Sequence, residues 1–406
     1  MKTIIIGGGA SGMISAYFAK MSGDDVLLVE KNEKLGKKLY ITGKGRCNLT
    51  NNCSVDDFML NVVSNPKFLL SSIYNFSPKD TIEFFENLGL KLKTERGNRV
   101  FPLSDKSSDV IKVLQNTLLE IGVQINLNEN VLSILVNNGE VLGVKTDKQE
   151  YFADKVVVAT GGLSYSSTGS SGDGYKFAKI LGHSVSELKP SLCGFNLAGE
   201  DYKSLQGLSL KNVKLTAFDN KKQYYSEMGE LLFTHFGISG PLVLTCSSLT
   251  TRRDLKNIEL SIDLKPALTT KELDKRILRD FEININREFK NSLDALLPKA
   301  LIPLIIKKSG INENKKINSI TQEERGKLLY LLKNLNFKLL LLRDFTEAVI
   351  TSGGVSVKEI NPKNMESKIV KGLHFAGEVL DVDAFTGGYN LQIAFSTGKS
   401  AGEREF

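Results

Sequence analysis

The sequence predicts an α/β fold in which a nucleotide-binding domain, built from both ends of the chain, encloses a β-rich and a helical insertion. Three observations predict it. The chain opens with a strand, a glycine fingerprint and a helix. It closes with a strand, a Gly-Glu pair and a glycine-opened helix. Between Pro190 and Phe345 the apolar pattern first alternates as in strands and then repeats as in helices.

Thr3 to Ile6 reads as a short buried strand, and Gly7, Gly9 and Gly12 follow in G-x-G-x-x-G spacing before an apolar-faced helix over Ala10 to Met21. Each glycine has a task. Gly7 permits the tight strand-to-helix turn, Gly9 lets backbone approach a pyrophosphate, and Gly12 lets helix and strand pack closely. The helix N-terminus adds N–H donors and a positive dipole end. Val26 to Val29 is the second strand and leads into Glu30, roughly 20 residues beyond the glycines, where a ribose hydroxyl is expected. A carboxylate there repels a 2′-phosphate, so the ligand is FAD or NAD(H) and not NADP(H).

Leu35 to Asn52 is rich in glycine, base and amide and is expected to be a cofactor-facing loop, with Lys37, Lys38 and Arg46 turned to the pyrophosphate. Helices are expected over Pro78 to Leu88 and Asp105 to Gly122. The runs Val123 to Leu127, Val131 to Val136 and Val141 to Thr146 read as a three-stranded antiparallel crossover, with a turn at Asn138-Gly139. Lys155 to Gly162 is a buried strand running into an Ala-Thr-Gly turn of the kind found beside FAD phosphates. Gly169 to Gly174 is a loop, and Tyr175 to Leu181 a helix.

Past Pro190, Leu208 to Phe218, Leu231 to Phe233 and Ile258 to Leu264 read as strands of an antiparallel inserted domain, with His235 in a glycine-rich turn. Thr269 to Leu342 has a helical period, interrupted near Pro298, Pro303 and Gly310. Leu373 to Ala376 is a strand ending at Gly377-Glu378, and Thr386 to Asn390 opens a helix through Gly402. A strand ending in glycine and an acid suits the ribityl hydroxyls of FAD, and the following helix N-terminus stabilises negative charge on a reduced flavin. This second element favours FAD over NAD.

The chain has 406 residues, of which 41% are hydrophobic and 24% charged, as in ordinary globular proteins. No signal peptide and no membrane-length apolar run is recognisable, and four cysteines without zinc spacing suit a reduced, cytoplasmic protein with no metal site. The net charge of +7 is concentrated between Leu264 and Arg343, where seventeen Lys/Arg face nine Asp/Glu. Such a region is either a solvated helical surface or a contact for a polyanion.

Thr42-Gly-Lys-Gly-Arg-Cys-Asn-Leu-Thr-Asn51, Arg99-Val-Phe-Pro102, Thr168 to Tyr175, Phe233 to Pro241, Met365 to Lys368 and Gly377 to Gln392, together with Gly7 to Gly12, resemble the BaiN/RdsA-like bacterial flavoproteins, a group that also includes an aminoacetone oxidase. The resemblance covers essentially the whole chain. It departs at Ser166, where the family usually has Pro, and at Ala384, where it usually has Gly.

The resemblance implies a Rossmann-type FAD-binding domain over 1–190 and 345–406, a β-rich substrate domain over 191–264 with a strand near 333–344, and a basic helical bridging domain over 265–332. Residues expected at FAD are Gly7, Gly9, Ala10, Ser11, Gly12, Glu30, Lys31, Lys37, Arg46, Cys47, Asn48, Val131, Thr160, Gly161, Gly377, Glu378, Asp381, Gly388, Asn390 and Leu391. The implied chemistry is hydride delivery from flavin to an activated C=C bond, enone or uracil-like, with an acid protonating the neighbouring carbon. Candidates for that acid are His235, Cys47 and Tyr389. No second fingerprint exists, so NAD(P)H is expected as a transient donor. An amine oxidase and an RNA-docking flavoprotein acting on uridine in ribosomal RNA are the alternatives.

Overall fold

A computed structural model describes residues 1–404. The chain forms two compact units, Met1–Ser191 with the chain from Asp344 onward, and Leu192–Arg343.

The first unit is built on a five-stranded parallel sheet in the order Leu373–Phe375, Lys155–Val158, Lys2–Ile6, Asp25–Val29, Gln124–Asn126. All four strand pairs are parallel, so each is joined by a crossover connection and not by a hairpin. The central strands are near-continuous Ile and Val because both faces are covered, and Ile4, Ile5, Val156, Val157 and Val158 are all buried. The fingerprint helix Ala10–Met21 packs directly on the final helix Tyr389–Gly402. A β-carbon on Gly398 would stand 2.6 Å from the Ser11 carbonyl oxygen, and one on Gly402 would stand 2.4 Å from that of Ser15. Ser15 Oγ donates to the Gly398 carbonyl at 2.8 Å.

Two sequence expectations are corrected here. The stretch at Val123 to Leu127 is not part of the antiparallel crossover: Gln124–Asn126 joins the parallel sheet beside Asp25–Val29. The three-stranded antiparallel sheet is Val131–Asn137, Glu140–Thr146 and Glu150–Phe152. Periodicity cannot distinguish a three-residue edge strand of one sheet from that of another. The expected loop at Leu35 to Asn52 also holds structure. It contains the helix Lys37–Ile41, a 3-10 turn Thr42–Gly45 and the strand Thr50–Asn51, and it buries Leu35, Leu39, Cys47 and Leu49 in the core. Thr50–Asn51 pairs with Arg99–Pro102, which pairs with Leu92–Glu95.

The second unit is a closed six-stranded barrel joined to helices Thr270–Ile283, Ile302–Ser309 and Gln322–Lys333. The barrel interior and the helices share one hydrophobic core, from Phe195 and Leu215 to Ile277, Leu304 and Leu328. The helical period read through to Leu342 ends earlier, where the expected domain layout already put a strand near 333–344. Leu335–Leu342 is the strand that closes the barrel, with Leu335, Phe337 and Leu339 inward and Asn336, Lys338 and Leu340 outward. Two-residue alternation inside a leucine-rich run is hidden from a helical template. Helices Thr270–Ile283 and Gln322–Lys333 each start at a capping box, Thr269 with Glu272 and Thr321 with Glu324.

His374, in the sheet strand nearest the end of the chain, is buried, and its Nδ1–H donates to the Asn364 carbonyl at 2.9 Å. Burial, with the Lys155 ammonium nearby, pushes its pKa down to about 3. The folded protein holds it neutral while the unfolded chain protonates below about pH 6.5. Its contribution is complete above that value and is lost as pH falls toward 3. We expect the unfolding free energy to fall between pH 7 and pH 5 by about 2 kcal/mol more in the wild type than in His374→Asn, which keeps the donor. Urea titrations at the two pH values check this; an equal fall in both proteins refutes it.

Candidate functional site

The fingerprint turn is assembled by backbone packing. Gly7 takes φ 103°, its N–H donates to the Val29 carbonyl at 2.8 Å, and a β-carbon on it would meet the Ala159 carbonyl oxygen at 2.7 Å. A β-carbon on Gly12 would lie 1.9 Å from the Gly7 carbonyl oxygen. Gly9, at the N-cap of helix Ala10–Met21, differs: no atom lies within 4 Å of where its β-carbon would be. The helix N-terminus thus opens on free space, the geometry of an anion site. Glu30 is buried and aimed back at this turn. Its carboxylate accepts from Gly8 N–H at 2.7 Å and from Asn32 N–H and Nδ2 at 2.8 and 2.6 Å.

The strand Lys155–Val158 leads to Thr160 and Gly161. Thr160 Oγ1 is buried and has no hydrogen-bond partner within the protein, and the absent side chain of Gly174 leaves it room, a β-carbon there standing 2.3 Å away. Lys31 is held by Asp173 at 2.6 Å and by Ser171. Burial raises the Asp173 carboxyl, but the hydrogen bonds and charge of Lys31, with Ser171 and Lys176, bring its pKa below the usual value. Val131 is the buried first residue of its strand.

The closing segment completes the site. Gly377 takes φ 79°, donates to Thr397 Oγ1 at 2.9 Å, and leaves no room for a β-carbon beside Ser11 Oγ at 2.6 Å. Ser11 of the fingerprint therefore touches the far end of the chain. Glu378 accepts from Thr351 N–H at 2.8 Å and pairs with Lys38 at 2.6 Å. Gly388, at φ 101°, lies over Thr50, whose carbonyl oxygen is 2.4 Å from a built β-carbon. Asn390 Nδ2 donates to the Ala384 carbonyl at 2.8 Å and its Oδ1 accepts from Ala384 N–H at 2.9 Å, fixing the loop before the final helix. Leu391 follows in that helix, and the Asp381 carbonyl accepts from Asn65.

Lys37, Lys38 and Arg46, expected at a pyrophosphate, are instead each engaged by a carboxylate. Lys37 pairs with Glu33 at 3.1 Å, Lys38 with Glu378, and Arg46 with both Glu95 and Asp105 at 2.5 Å. The Arg46 guanidinium also lies 4.1 Å over the Phe101 ring. Arg46, and for Asp105 first Lys93, hold the two carboxyls below their ordinary pKa. Asn48 stands two residues beyond this arginine, partly buried.

The three candidate acids are not one cluster. Cys47, at φ 58°, is fully buried, and burial pushes its thiol up to about 12, so it neither meets solvent nor ionises near neutrality. Tyr389 is half-buried in the first turn of the final helix with Phe58 edge-on at 5.4 Å; burial raises its phenol to about 12. His235 belongs to the second unit, exposed between strands Lys222–Phe233 and Gly237–Ser239. The sequence reading passed over Thr351, whose hydroxyl accepts from Leu163 and Ser164 N–H at 2.8 and 3.2 Å. Nothing in local spacing announces a partner nearly 190 positions away.

The family description "HI0933-like protein Rossmann domain" matches residues 1–404. The chain belongs to this family. A 3-dehydro-bile acid delta(4,6)-reductase of Clostridium scindens is 31% identical to this HI0933-like protein over 402 residues, 98% of this chain and 97% of the relative. A ribosomal RNA dihydrouridine synthase of Escherichia coli is 30% identical over 405 residues, 97% of this chain and 95% of the relative. Among solved structures, the 3-ketosteroid-delta4-(5alpha)-dehydrogenase of Rhodococcus jostii RHA1 matches with a TM-score of 0.54 at 15% identity, over 98% of this chain and 95% of that one, a likeness of fold.

This HI0933-like protein is an FAD-dependent oxidoreductase. The site fits that group: open space at the Gly9 N-cap, an orphaned hydroxyl on Thr160 and two anchored carboxylates, Glu30 and Glu378. Among the described residues no cluster of side chains suits a metal ion, and no helix is long and apolar enough to cross a membrane.

Two substitutions separate binding from folding. Glu30→Ala is expected to weaken FAD binding roughly 10- to 100-fold through loss of a charge-assisted hydrogen bond of about 1.5–3 kcal/mol. Thr160→Val is expected to leave the FAD-free protein within about 0.5 kcal/mol of wild type, since its hydroxyl has no protein partner to lose, yet weaken FAD binding several-fold. Fluorescence titration of FAD into apoprotein, beside urea unfolding, checks both; unchanged FAD affinity places the ribose and phosphates elsewhere.

Proposed function

We propose that this protein is an NAD(P)H-driven reductase of an electron-poor C=C bond in a small molecule or a nucleobase, acting in the cytoplasm. The observation that carries the reading is the single dinucleotide fingerprint joined to a glycine-opened final helix, in a chain alike over its full length to a delta(4,6)-reductase and a dihydrouridine synthase. Both names denote a C=C bond and its saturated product.

FAD, when bound, supplies the electron pair as hydride to the β-carbon of the acceptor. The α-carbon then needs a proton, and the chain must hold an acid where that carbon lies. Tyr389 keeps its proton throughout the physiological range and sits in the first turn of the final helix, partly open to solvent. His235 is the second candidate: it is exposed, and its ring nitrogens can donate or accept a proton. The burial of Cys47 removes it from contact with an acceptor. The N-terminus of helix Tyr389–Gly402 carries no acidic residue in its first turn, so its dipole is free to stabilise developing negative charge.

Stopped-flow reduction with NADH, NADPH and aminoacetone tests the reading. Reduction by a nicotinamide, then reoxidation by an enone or a uracil-containing RNA, supports it; reduction by the amine alone replaces it with amine oxidation. Tyr389→Phe or His235→Asn is expected to slow reoxidation by the acceptor at least tenfold while leaving nicotinamide-driven reduction within about twofold.

A second reading, docking on ribosomal RNA, is favoured by the basic surplus of the second unit and by the dihydrouridine synthase relatives. Many of its cations are already committed: Lys307 and Lys308 pair with Asp201, Lys315 with Glu324, and Arg325 with Asp274. Lys271, Lys275, Arg287, Lys299 and Lys316 are among the cations of this unit with no carboxylate within ion-pair distance among the described residues, and so are available to phosphate. Changing Lys271, Lys299 and Lys316 together to Glu is expected to abolish salt-sensitive RNA binding and leave FAD content unchanged. Filter binding at several salt concentrations decides; a wild type without salt-sensitive binding makes this region a solvated surface.

A further inference from the structure

The hairpin Leu92–Glu95, Arg99–Pro102 has no part in the fingerprint, yet it is fastened to the glycine loop that opens the final helix. Asn51 does the fastening. It lies opposite Arg99 in the strand register, and its side-chain Nδ2 donates to the Gly97 carbonyl at the hairpin tip, at 3.0 Å, and to the Gly387 carbonyl at 3.1 Å. The tip is therefore held at the loop Gly387-Gly388, next to Tyr389.

This corner is strongly cationic. Arg96 and Arg99 are exposed on the tip, Lys93 lies one strand in, and Arg46 stacks on Phe101. Gly43 also approaches Phe101, its built β-carbon 3.6 Å from the ring, which brings the exposed Lys44 to the same corner. Arg46 and Arg99 both lie over the Phe101 ring, at 4.1 and 5.7 Å, and the corner holds two carboxylates, Glu95 and Asp105. Those carboxylates are spent on Arg46 and Lys93. Arg99 has a 4.0 Å approach to Glu95, one bond from its Nε to the Arg96 carbonyl and a place 5.7 Å over the Phe101 ring, and Arg96 has no carboxylate within ion-pair distance among the described residues. Two guanidinium groups consequently face solvent beside the loop that opens the final helix.

Neither is needed for the FAD pyrophosphate, for which the open helix N-terminus at Gly9 is built, and Glu30 rejects a 2′-phosphate at the adenosine end. We propose that Arg96 and Arg99 form the docking point for the phosphate groups of the incoming nicotinamide dinucleotide, taking the place of the second fingerprint that the chain lacks. The inference rests on the nicotinamide-driven reading above. Guanidinium suits this task because its fork matches phosphate oxygens and its charge is permanent. A solvent-facing pair without a surrounding cradle gives weak, salt-sensitive binding, which suits a donor that must leave before the acceptor enters.

The test is calorimetric titration of NADP⁺ and NAD⁺ into the FAD-loaded full chain at low and high salt, for wild type, Arg96→Gln, Arg99→Gln, and Lys112→Gln as an exposed control on helix Ser107–Glu120. Bound FAD and thermal midpoint report integrity; should Arg99→Gln in the strand fail to fold, Arg96→Gln at the tip still decides. The expected result is at least a tenfold loss of affinity in each arginine variant at low salt, shrinking at high salt, with Lys112→Gln unchanged. A larger loss for NADP⁺ than for NAD⁺ assigns the 2′-phosphate, and an equal loss assigns the pyrophosphate. If wild type binds nicotinamide and the variants bind it equally well, the inference is overturned while the nicotinamide-driven reading stands, and a loss of RNA affinity alone overturns it equally. If wild type neither binds nor is reduced by either nicotinamide, both fall together.

Discussion

The nucleotide-binding unit depends on one contact: the fingerprint helix pressed backbone-to-backbone against the final helix. The Ser11 and Ser15 carbonyl oxygens stand where β-carbons on Gly398 and Gly402 would be, and Ser11 Oγ occupies the space beside Gly377. Residues nearly 390 positions apart thus define one site. Any side chain at Gly398 or Gly402 would part the helices. That would move the strand end at Gly377 and, with it, the carboxylate of Glu378. Close packing here is a condition for having a site at all, since the turn at Gly7, the N-cap at Gly9 and the Gly377-Glu378 corner are held by the same pair of helices.

Electrostatics then refines what packing assembles. Buried or half-buried carboxylates sit at both ends of the site. Glu30 is satisfied by N–H groups of Gly8 and Asn32, and Glu378 by Thr351 N–H and Lys38. Both are fixed before any ligand arrives, so the orientation of their remaining lone pairs is set in advance. Lys31, Lys37 and Arg46 are likewise committed to carboxylates. The consequence is a cradle that relies on backbone N–H and anchored acids at its floor and keeps its uncommitted positive charge at the hairpin corner.

The second unit follows a different logic. Its helices do not form a separate core; Ile277, Leu304 and Leu328 are buried in the same cluster as the barrel residues Leu215 and Phe233. The basic surface is therefore the outer side of a body whose inner side is the barrel core. Ion pairs such as Lys333 with Asp263 and Arg325 with Asp274 tie that surface down.

The sequence alone determined the fingerprint turn, the acid after the second strand, the Ala-Thr-Gly turn and the glycine-opened final helix. Each rests on a local requirement: a glycine where φ is positive or a β-carbon would collide, an apolar run where both faces are covered, or a helix start where N–H groups are free. Tertiary structure alone decided the rest. Gln124–Asn126 entered the parallel sheet because pairing is settled by what lies alongside a strand and not by its own period. Lys38 met Glu378, Thr351 met Leu163 and Ser164, and Arg46 turned to Glu95 and Asp105 across separations of up to 340 residues. Such partnerships leave no mark on spacing, because the fold brings the charges together only after the backbone has been placed.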